Sequence, residues 1–398
     1  MAGMATPRDR VAALLRTHPL VDGHNDLPWE ARTQAGYDFD RLDLESRLAT
    51  TCTDLPRLRE GGVGAQFWSV FVPSGLHGDA AVTATLEQVD AVHQMIGRYS
   101  ARLGLARTAA EVERVFASGR VASLMGAEGG HQIGCSLGTL RMLYVLGVRY
   151  LTLTHNDNVP WADSATDQRV LGGLSPFGRA VVAEMNRLGM LVDVSHVSAD
   201  TMRDALSATA APAIFSHSNA RSVCDMPRNV PDDVLQAMSS GGGVCMVTFV
   251  PEFLSPAAAT WRNQAEQAAA AVGVRAADYE AFRAFTAGYT VDHPKPDATI
   301  ADVVRHIDHV REVAGVDAVG IGGDFDGTDT YPLGLEDVSG YPRLFEALAD
   351  RGWSDEDLVK LAGANVLRVL RDAEAVARDL QATRGPSLAA YAALDRPQ

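Results

Sequence analysis

The segment LVDVSHVSADTMRDALSATAAPAIFSH, residues 191–217, starts and finishes on a short apolar, β-branched run that ends in histidine, with a helical stretch between. Near-continuous apolar runs of this length are what strands buried on both faces of a parallel sheet look like. Working outward, the same unit recurs. LVDGHND (20–26), GAQFWSVF (64–71), VASLMGAE (121–128) and YLTLTH (150–155) precede it, and GVCMVTFV (243–250) and AVGIGGDFD (318–326) follow, making eight runs in all. Most are followed by an amphipathic helical stretch. Strand and helix alternating eight times predict an α/β fold, a closed (β/α)8 TIM-like barrel rather than an open sheet.

The intervening helices carry start and stop signals. SPFGRAVVAEMNRLG opens with Ser175 as N-cap and Pro176 at the first helical position, puts Val181, Val182, Met185 and Leu188 on one face, and stops at Gly189. VPDDVLQAMSSGGG starts at Pro231, and ADVVRHIDHVREVAG sets Val303, Ile307, Val310 and Ala314 on one stripe. The Ala-rich stretch 256–288 reads as a helical insertion after the seventh strand, and 342–398 as C-terminal helices packed outside the barrel. No linker divides the chain, so 1–398 reads as a single barrel domain.

Composition narrows the partners. A net charge of −15 disfavours nucleic acid and anionic membrane surfaces. Cys52, Cys135, Cys224 and Cys245 are widely spaced and form no C-x-x-C pair, which fits a reducing compartment. The first twenty residues lack the apolar core of a signal peptide, no run reaches the ~20 apolar residues of a membrane helix, and the C-terminus lacks a lipid-anchor tail. The expected location is cytoplasmic. Lys295 and Lys360 are the only lysines, which closes the option of a carbamylated lysine bridging two metals.

In a barrel, the C-terminal ends of the strands line the active site. Here those ends carry His24, Asn25 and Asp26, then Glu128, His155, His196, His217, and finally Asp324 with Asp326. A single histidine at a strand end is more often a satisfied core residue than a ligand. Four of the eleven histidines falling there beside several carboxylates point to metal; His93, His306 and His309 fall on helices instead. His24 and Asp26, two apart, face the same way on a strand. Imidazole with carboxylate suits zinc, and two ions about 3.5–4 Å apart can hold a hydroxide between them and polarise a carbonyl. Glu128, following a fully apolar run and flanked by small residues, is the natural bridge.

H-N-D, G-x-E-G-G-H, D-V-S-H, F-S-H-S and G-G-D-F-D-G, one per strand and in this order, resemble the renal (membrane) dipeptidase family, the M19 metallopeptidases. The resemblance spans about residues 18 to 370 and includes LTLTHND, RNVPDDVL and GLEDVSGYP. It implies a binuclear zinc dipeptidase, usually a homodimer, that favours a D-residue at the C-terminal position of a dipeptide. By the same resemblance His24 and Asp26 bind one zinc and His196 and His217 the other, with Glu128 bridging them. His155 contacts the substrate carbonyl, Arg228 holds the substrate carboxylate, and Asp324 moves the proton between a metal-bridging hydroxide and the leaving amine. Secreted members carry a signal peptide, a lipid anchor and disulfides, none of which is evident here. Asp157 stands where the animal enzymes have a cysteine, which fits a cytosolic, bacterial-type enzyme.

Several residues admit a second reading. Asp326 competes with Asp324 as the catalytic carboxylate, and the family pattern favours Asp324. Arg228 alone reads as a surface residue before a helix. His131 reads as lying one turn past the strand end, outside the ligand set. Asp193 either orients His196 or is a buried, hydrogen-bonded carboxylate. GIGGDFDG lacks the spacing of a dinucleotide loop. GCSLG (134–138) matches the serine-hydrolase elbow, but Ser136 lies nine residues past the apolar run and reads as a helix cap. A barrel amidohydrolase or deaminase would share the ligands without needing a carboxylate-gripping arginine. A non-catalytic metal-binding barrel would leave His155 and Asp324 unexplained.

Overall fold

The computed structural model describes residues 6–395. Its strands are β1 (Leu20–Asn25), β2 (Val63–Phe71), β3 (Leu103–Leu105), β4 (Val121–Glu128), β5 (Val148–Thr152), β6 (Leu191–Asp193), β7 (Ile214–Phe215), β8 (Val244–Val247) and β9 (Val319–Ile321). Parallel pairing runs β2-β1-β9-β8-β7-β6-β5-β4, and β2 pairs with β4 to close the ring. Eight strands therefore form a closed parallel barrel with helices outside it. The ninth, β3, was not expected from the sequence. It pairs with Val121–Ser123 of β4, on the side that β5 takes from Met125 onward.

The strands are shorter than the apolar runs suggested. β6 stops at Asp193 and β7 at Phe215, so His196 and His217 lie beyond the ladder, as do His155, Asp324 and Asp326. Leu153, Val194, Phe249 and Phe325 are buried in these post-strand segments, so the apolar pattern continues after the pairing has ended.

Helix signals behave as their chemistry dictates. Ser175 Oγ accepts from the Gly178 N–H, and Gly189 ends Pro176–Leu188 with φ 82°. Such a cap contributes about 1 kcal/mol. The stretch 256–288 folds as Pro256–Ala271 and the start of Tyr279–Asp292. Trp261, Ala265, Ala269 and Phe282 give this pair a small apolar core of its own. After Tyr341–Asp350, the long helix Asn365–Thr383 docks on the barrel, where Asn365 Nδ2 donates to the carbonyls of Val316 and Val319, both at 2.8 Å.

Candidate metal centre

β1 delivers His24 while still extended, and the chain then turns at Asp26 into the helix Leu27–Ala35. Asp26 occupies the N-cap, yet its carboxylate makes no capping bond. It faces His24 instead, with Oδ2 3.2 Å from Nε2. The two meet as the spacing suggested, through a turn rather than along one strand.

Glu128, the last residue of β4, is 4% exposed and holds the middle of the cluster. Its Oε2 lies 3.5 Å from His24 Nε2. Its Oε1 lies 3.0 Å from His196 Nε2 and 3.4 Å from His217 Nε2, and those two nitrogens are 2.9 Å apart. Asp324 Oδ1 stands 4.0 Å from His24 Nε2, and His155 Nε2 stands 3.9 Å from Glu128 Oε1. Zn–N bonds of roughly 2.0–2.1 Å place tetrahedral ligand atoms about 3.3 Å apart. The spacings from His24 Nε2 to Asp26 and Glu128, and those among Glu128, His196 and His217, fit that requirement. His24 Nε2 and Asp26 Oδ1 are also buried without a hydrogen-bond partner, as donor atoms awaiting a cation would be.

The outer nitrogens explain how the inner ones can turn a lone pair into the cluster. Tyr150 donates its hydroxyl proton to the Gly23 carbonyl at 3.2 Å, so its oxygen accepts from His24 Nδ1 at 2.7 Å. Ser216 donates to Asp193 Oδ2 at 2.6 Å, so its oxygen accepts from His217 Nδ1 at 2.8 Å. Each bond fixes the tautomer that leaves Nε2 with a lone pair. Asp193 thus acts on His217 through Ser216, not on His196. Sequence reasoning missed both Tyr150 and Ser216; a tyrosine inside YLTLTH reads as core, and nothing in FSHS marks its first serine.

Backbone strain concentrates in the same loops. His196, Asp324 and Asp326 have φ of 67°, 60° and 66°, a region that side chains other than glycine enter at a cost of about 1–3 kcal/mol. The turns send Asp324 and Asp326 in different directions, where a continuing strand would point both the same way. Asp324 faces His24, whereas Asp326 Oδ1 accepts from the Cys52 N–H at 2.6 Å. Gly327 sits where Asp324 and Asp26 converge and leaves no room: a Cβ there would lie 2.3 Å from Asp324 Oδ1 and 2.4 Å from Asp26 Oδ2.

Electrostatics follow burial and neighbours. Burial pushes Glu128 upward, but the imidazoles around it overcome that and hold it well below the carboxylate range. Burial, reinforced by Asp26 and Glu128, raises Asp324 to about 8 against the pull of His24 and Arg228. A bound cation would draw it back down. Burial also holds His196 and His217 well below the usual imidazole value, in the neutral form that ligates metal.

A cavity of about 790 Å³ opens over this cluster, lined by Asp26, Glu128, His155, His196, Arg228 and Asp324 among others. Arg228 is 3% exposed, so the surface reading of this residue fails. Its Nη2 reaches the His217 carbonyl at 3.4 Å, Nη1 is buried without a partner, and no carboxylate pairs with it among the described residues. Burial lowers it only to about 10, so it stays cationic at neutral pH. The insertion supplies a further wall with Trp261, Phe282 and Thr286.

Other candidates lie apart. His131 sits in the turn Gly130–Ile133 and bonds the Val72 carbonyl at 3.1 Å. His93 is on the helix Gly78–Arg98, and His306 and His309 are on Ile300–Ala314. Ser136 caps Leu137–Leu146, accepting from the Thr139 N–H at 3.3 Å, and does not line the cavity. Asp157 accepts from Ser74 Oγ at 2.6 Å and Arg275 Nη2 at 2.9 Å.

Solved structures resemble this one over most of their length. The probable dipeptidase PvdM from Pseudomonas aeruginosa is 24% identical, with 93% of this chain and 99% of that chain covered and a TM-score of 0.82. Dipeptidase AC, a metallopeptidase of family M19, is 28% identical over 90% of this chain and 99% of that chain, with a TM-score of 0.74. A metallopeptidase from Rhodobacter sphaeroides, liganded with a phosphinate mimic of the dipeptide L-Ala-D-Ala, is 27% identical over 90% and 99%, also with a TM-score of 0.74. The sequence pattern of the membrane dipeptidases matches residues 8–384, and the chain belongs to that family, peptidase family M19, whose members are metallopeptidases that hydrolyse peptide bonds.

Proposed function

We propose that the protein is a binuclear zinc dipeptidase that accepts a D-residue at the C-terminal position. The observation that carries this reading is Glu128, which turns one oxygen to His24, itself beside Asp26, and the other to His196 and His217. His24 and Asp26 would hold one ion and His196 and His217 the other, with Glu128 shared. Bound zinc supplies Lewis acidity, which acidifies water and polarises a carbonyl.

The chain's own residues supply the rest. Arg228, buried and unpaired, grips the substrate's terminal carboxylate and so limits the enzyme to short substrates. His155, kept neutral by burial, contacts the carbonyl oxygen as charge develops there. Asp324 takes a proton from the attacking water at Oδ1 and delivers it to the leaving amine. The relative solved with a mimic of L-Ala-D-Ala supports the D-residue preference.

One barrel domain carries the whole site. Free cysteines throughout support a reducing, cytoplasmic setting, and among the described residues no helix is long and apolar enough to cross a membrane. A homodimer follows from the resemblance alone, and sedimentation would test it.

The deciding experiment combines metal analysis with a screen of L-Xaa-D-Xaa dipeptides. We expect hydrolysis that o-phenanthroline abolishes and zinc restores, while Ser136→Ala leaves turnover intact. Hydrolysis that survives complete metal removal would sink the proposal.

A further inference from the structure

Lys295, one of the chain's two lysines, meets Glu252 on the wall of the cavity, its Nζ 2.7 Å from Oε1. The same Nζ donates to Thr330 Oγ1 at 2.6 Å and lies 5.5 Å from the centre of the Trp261 ring. Three segments thus converge: the turn after β8, the insertion and the loop after β9. Both side chains are largely enclosed, 7% exposed for Glu252 and 13% for Lys295. Glu252 Oε2 is buried with no hydrogen-bond partner. An ammonium has three N–H donors. Glu252 and Thr330 take two, which leaves one donor beside one unused acceptor.

This pair sits next to the carboxylate anchor. Phe253 follows Glu252 and lies under the Arg228 guanidinium, 5.2 Å from its Cζ. Asn229 Nδ2 donates to the Phe253 carbonyl at 2.8 Å, and Cys224 Sγ contacts the Glu252 carbonyl at 3.7 Å. The Glu252 turn is therefore pinned to the loop that carries Arg228.

We propose that Glu252 and Lys295 form the subsite for the side chain of the residue C-terminal to the scissile bond, and that it selects an uncharged, hydrogen-bonding side chain, a carboxamide above all. The inference rests on the reading of Arg228 as the anchor for the substrate carboxylate. A carboxamide accepts from Lys295 Nζ and donates to Glu252 Oε2, satisfying both unused groups. An aliphatic side chain of the same size leaves them buried and unpaired. A carboxylate or ammonium side chain brings an uncompensated charge to a pair that is already neutral.

The test compares kcat/KM of the zinc-loaded full-length enzyme on L-Ala-D-Asn, L-Ala-D-Leu, L-Ala-D-Asp and L-Ala-D-Lys. D-Asn should lead D-Leu by on the order of 10- to 100-fold, with D-Asp and D-Lys also behind D-Asn. In Lys295→Met, and in Glu252→Gln combined with Lys295→Met, the D-Asn to D-Leu ratio should fall towards one, with melting temperature reporting whether each variant is folded. A purely structural pair would lower both substrates together and keep the ratio. Equal rates on D-Asn and D-Leu, a lead for D-Asp or D-Lys, or a ratio preserved in both variants overturns the subsite. Cleavage of these dipeptides without discrimination overturns this inference alone; no cleavage of any dipeptide overturns the dipeptidase reading with it.

Discussion

Tyr150 holds His24 from behind, its hydroxyl oxygen 2.7 Å from Nδ1 on the side away from Glu128. The tyrosine has room because β4 carries Gly126 opposite it, where a Cβ would come within 1.9 Å of the ring. Removing such an outer partner of a metal-ligating histidine typically weakens metal binding about 10- to 100-fold. Tyr150→Phe should therefore raise the zinc dissociation constant by that factor, measured by competition with a chromophoric chelator. An unchanged constant would mean that packing alone orients His24.

On the proposed reading, a carboxylate shared by two ions couples them. Glu128→Ala should lower zinc content at both sites, not at one, as read by metal analysis of dialysed protein. Retention of close to two tightly bound zincs would remove Glu128 from the bridging role. His93, whose Nε2 contacts the Leu146 carbonyl at 2.7 Å on an outer helix, is the control, and its replacement should leave metal content unchanged.

That these side chains would cluster was legible because imidazoles and carboxylates at the ends of apolar runs have few other reasons to be there. Strand lengths were not, since the apolar pattern reports burial and not pairing: Val194 and Phe249 are as buried as the strands they follow. β3 is three residues long, too short to show a period. The outer partners were illegible for another reason. Tyr150 and Ser216 have ordinary sequence surroundings, and only the folded barrel puts them behind His24 and His217. Glu252 and Lys295 meet only because the insertion closes on the cavity.

Asp324 and Asp326 separate by what they touch. Asp324 lies beside His24 and lines the ligand cluster, whereas Asp326 ties the Cys52 backbone to the β9 loop. Asp324→Asn should depress kcat strongly while zinc content and substrate affinity persist. Asp326→Asn should act mainly on thermal stability. A near-normal kcat in Asp324→Asn with a large loss in Asp326→Asn would transfer the proton-moving role.

Stability in acid should depend on His306. Its Nδ1 accepts from the Ala220 N–H and its Nε2 contacts the Leu254 carbonyl, both at 3.1 Å, an arrangement only the neutral ring satisfies. Burial lowers the folded-state value from 6.5 to about 4. The unfolded chain thus binds the proton first. This contribution is complete above pH 6.5 and is lost as pH falls from there towards 4. At pH 5 the loss is about 2 kcal/mol. Urea titrations at pH 7 and pH 5 should show His306→Gln with a smaller acid loss than the parent by roughly that amount. Parallel curves would exclude His306 as the source.

On the proposed reading, Arg228 is the residue that would distinguish a dipeptidase from other barrel hydrolases. A guanidinium grips a carboxylate with two parallel charge-assisted bonds, roughly twice as strong as neutral ones. The carboxylate lies one residue beyond the scissile bond, so gripping it also aligns the carbonyl over the metal cluster. Arg228→Ala should lower kcat/KM by about 2–5 kcal/mol, as truncating one partner of a buried charge pair does. Much of that should appear in KM, because ground and transition states share the contact. Amidating the dipeptide's C-terminus should cost the parent enzyme a similar amount. It should cost Arg228→Ala little more, since both changes remove one contact and their effects are then far from additive. If the parent cleaves the amide as fast as the free acid, Arg228 anchors no carboxylate, and the buried, unpaired Nη1 must serve some other group of the substrate.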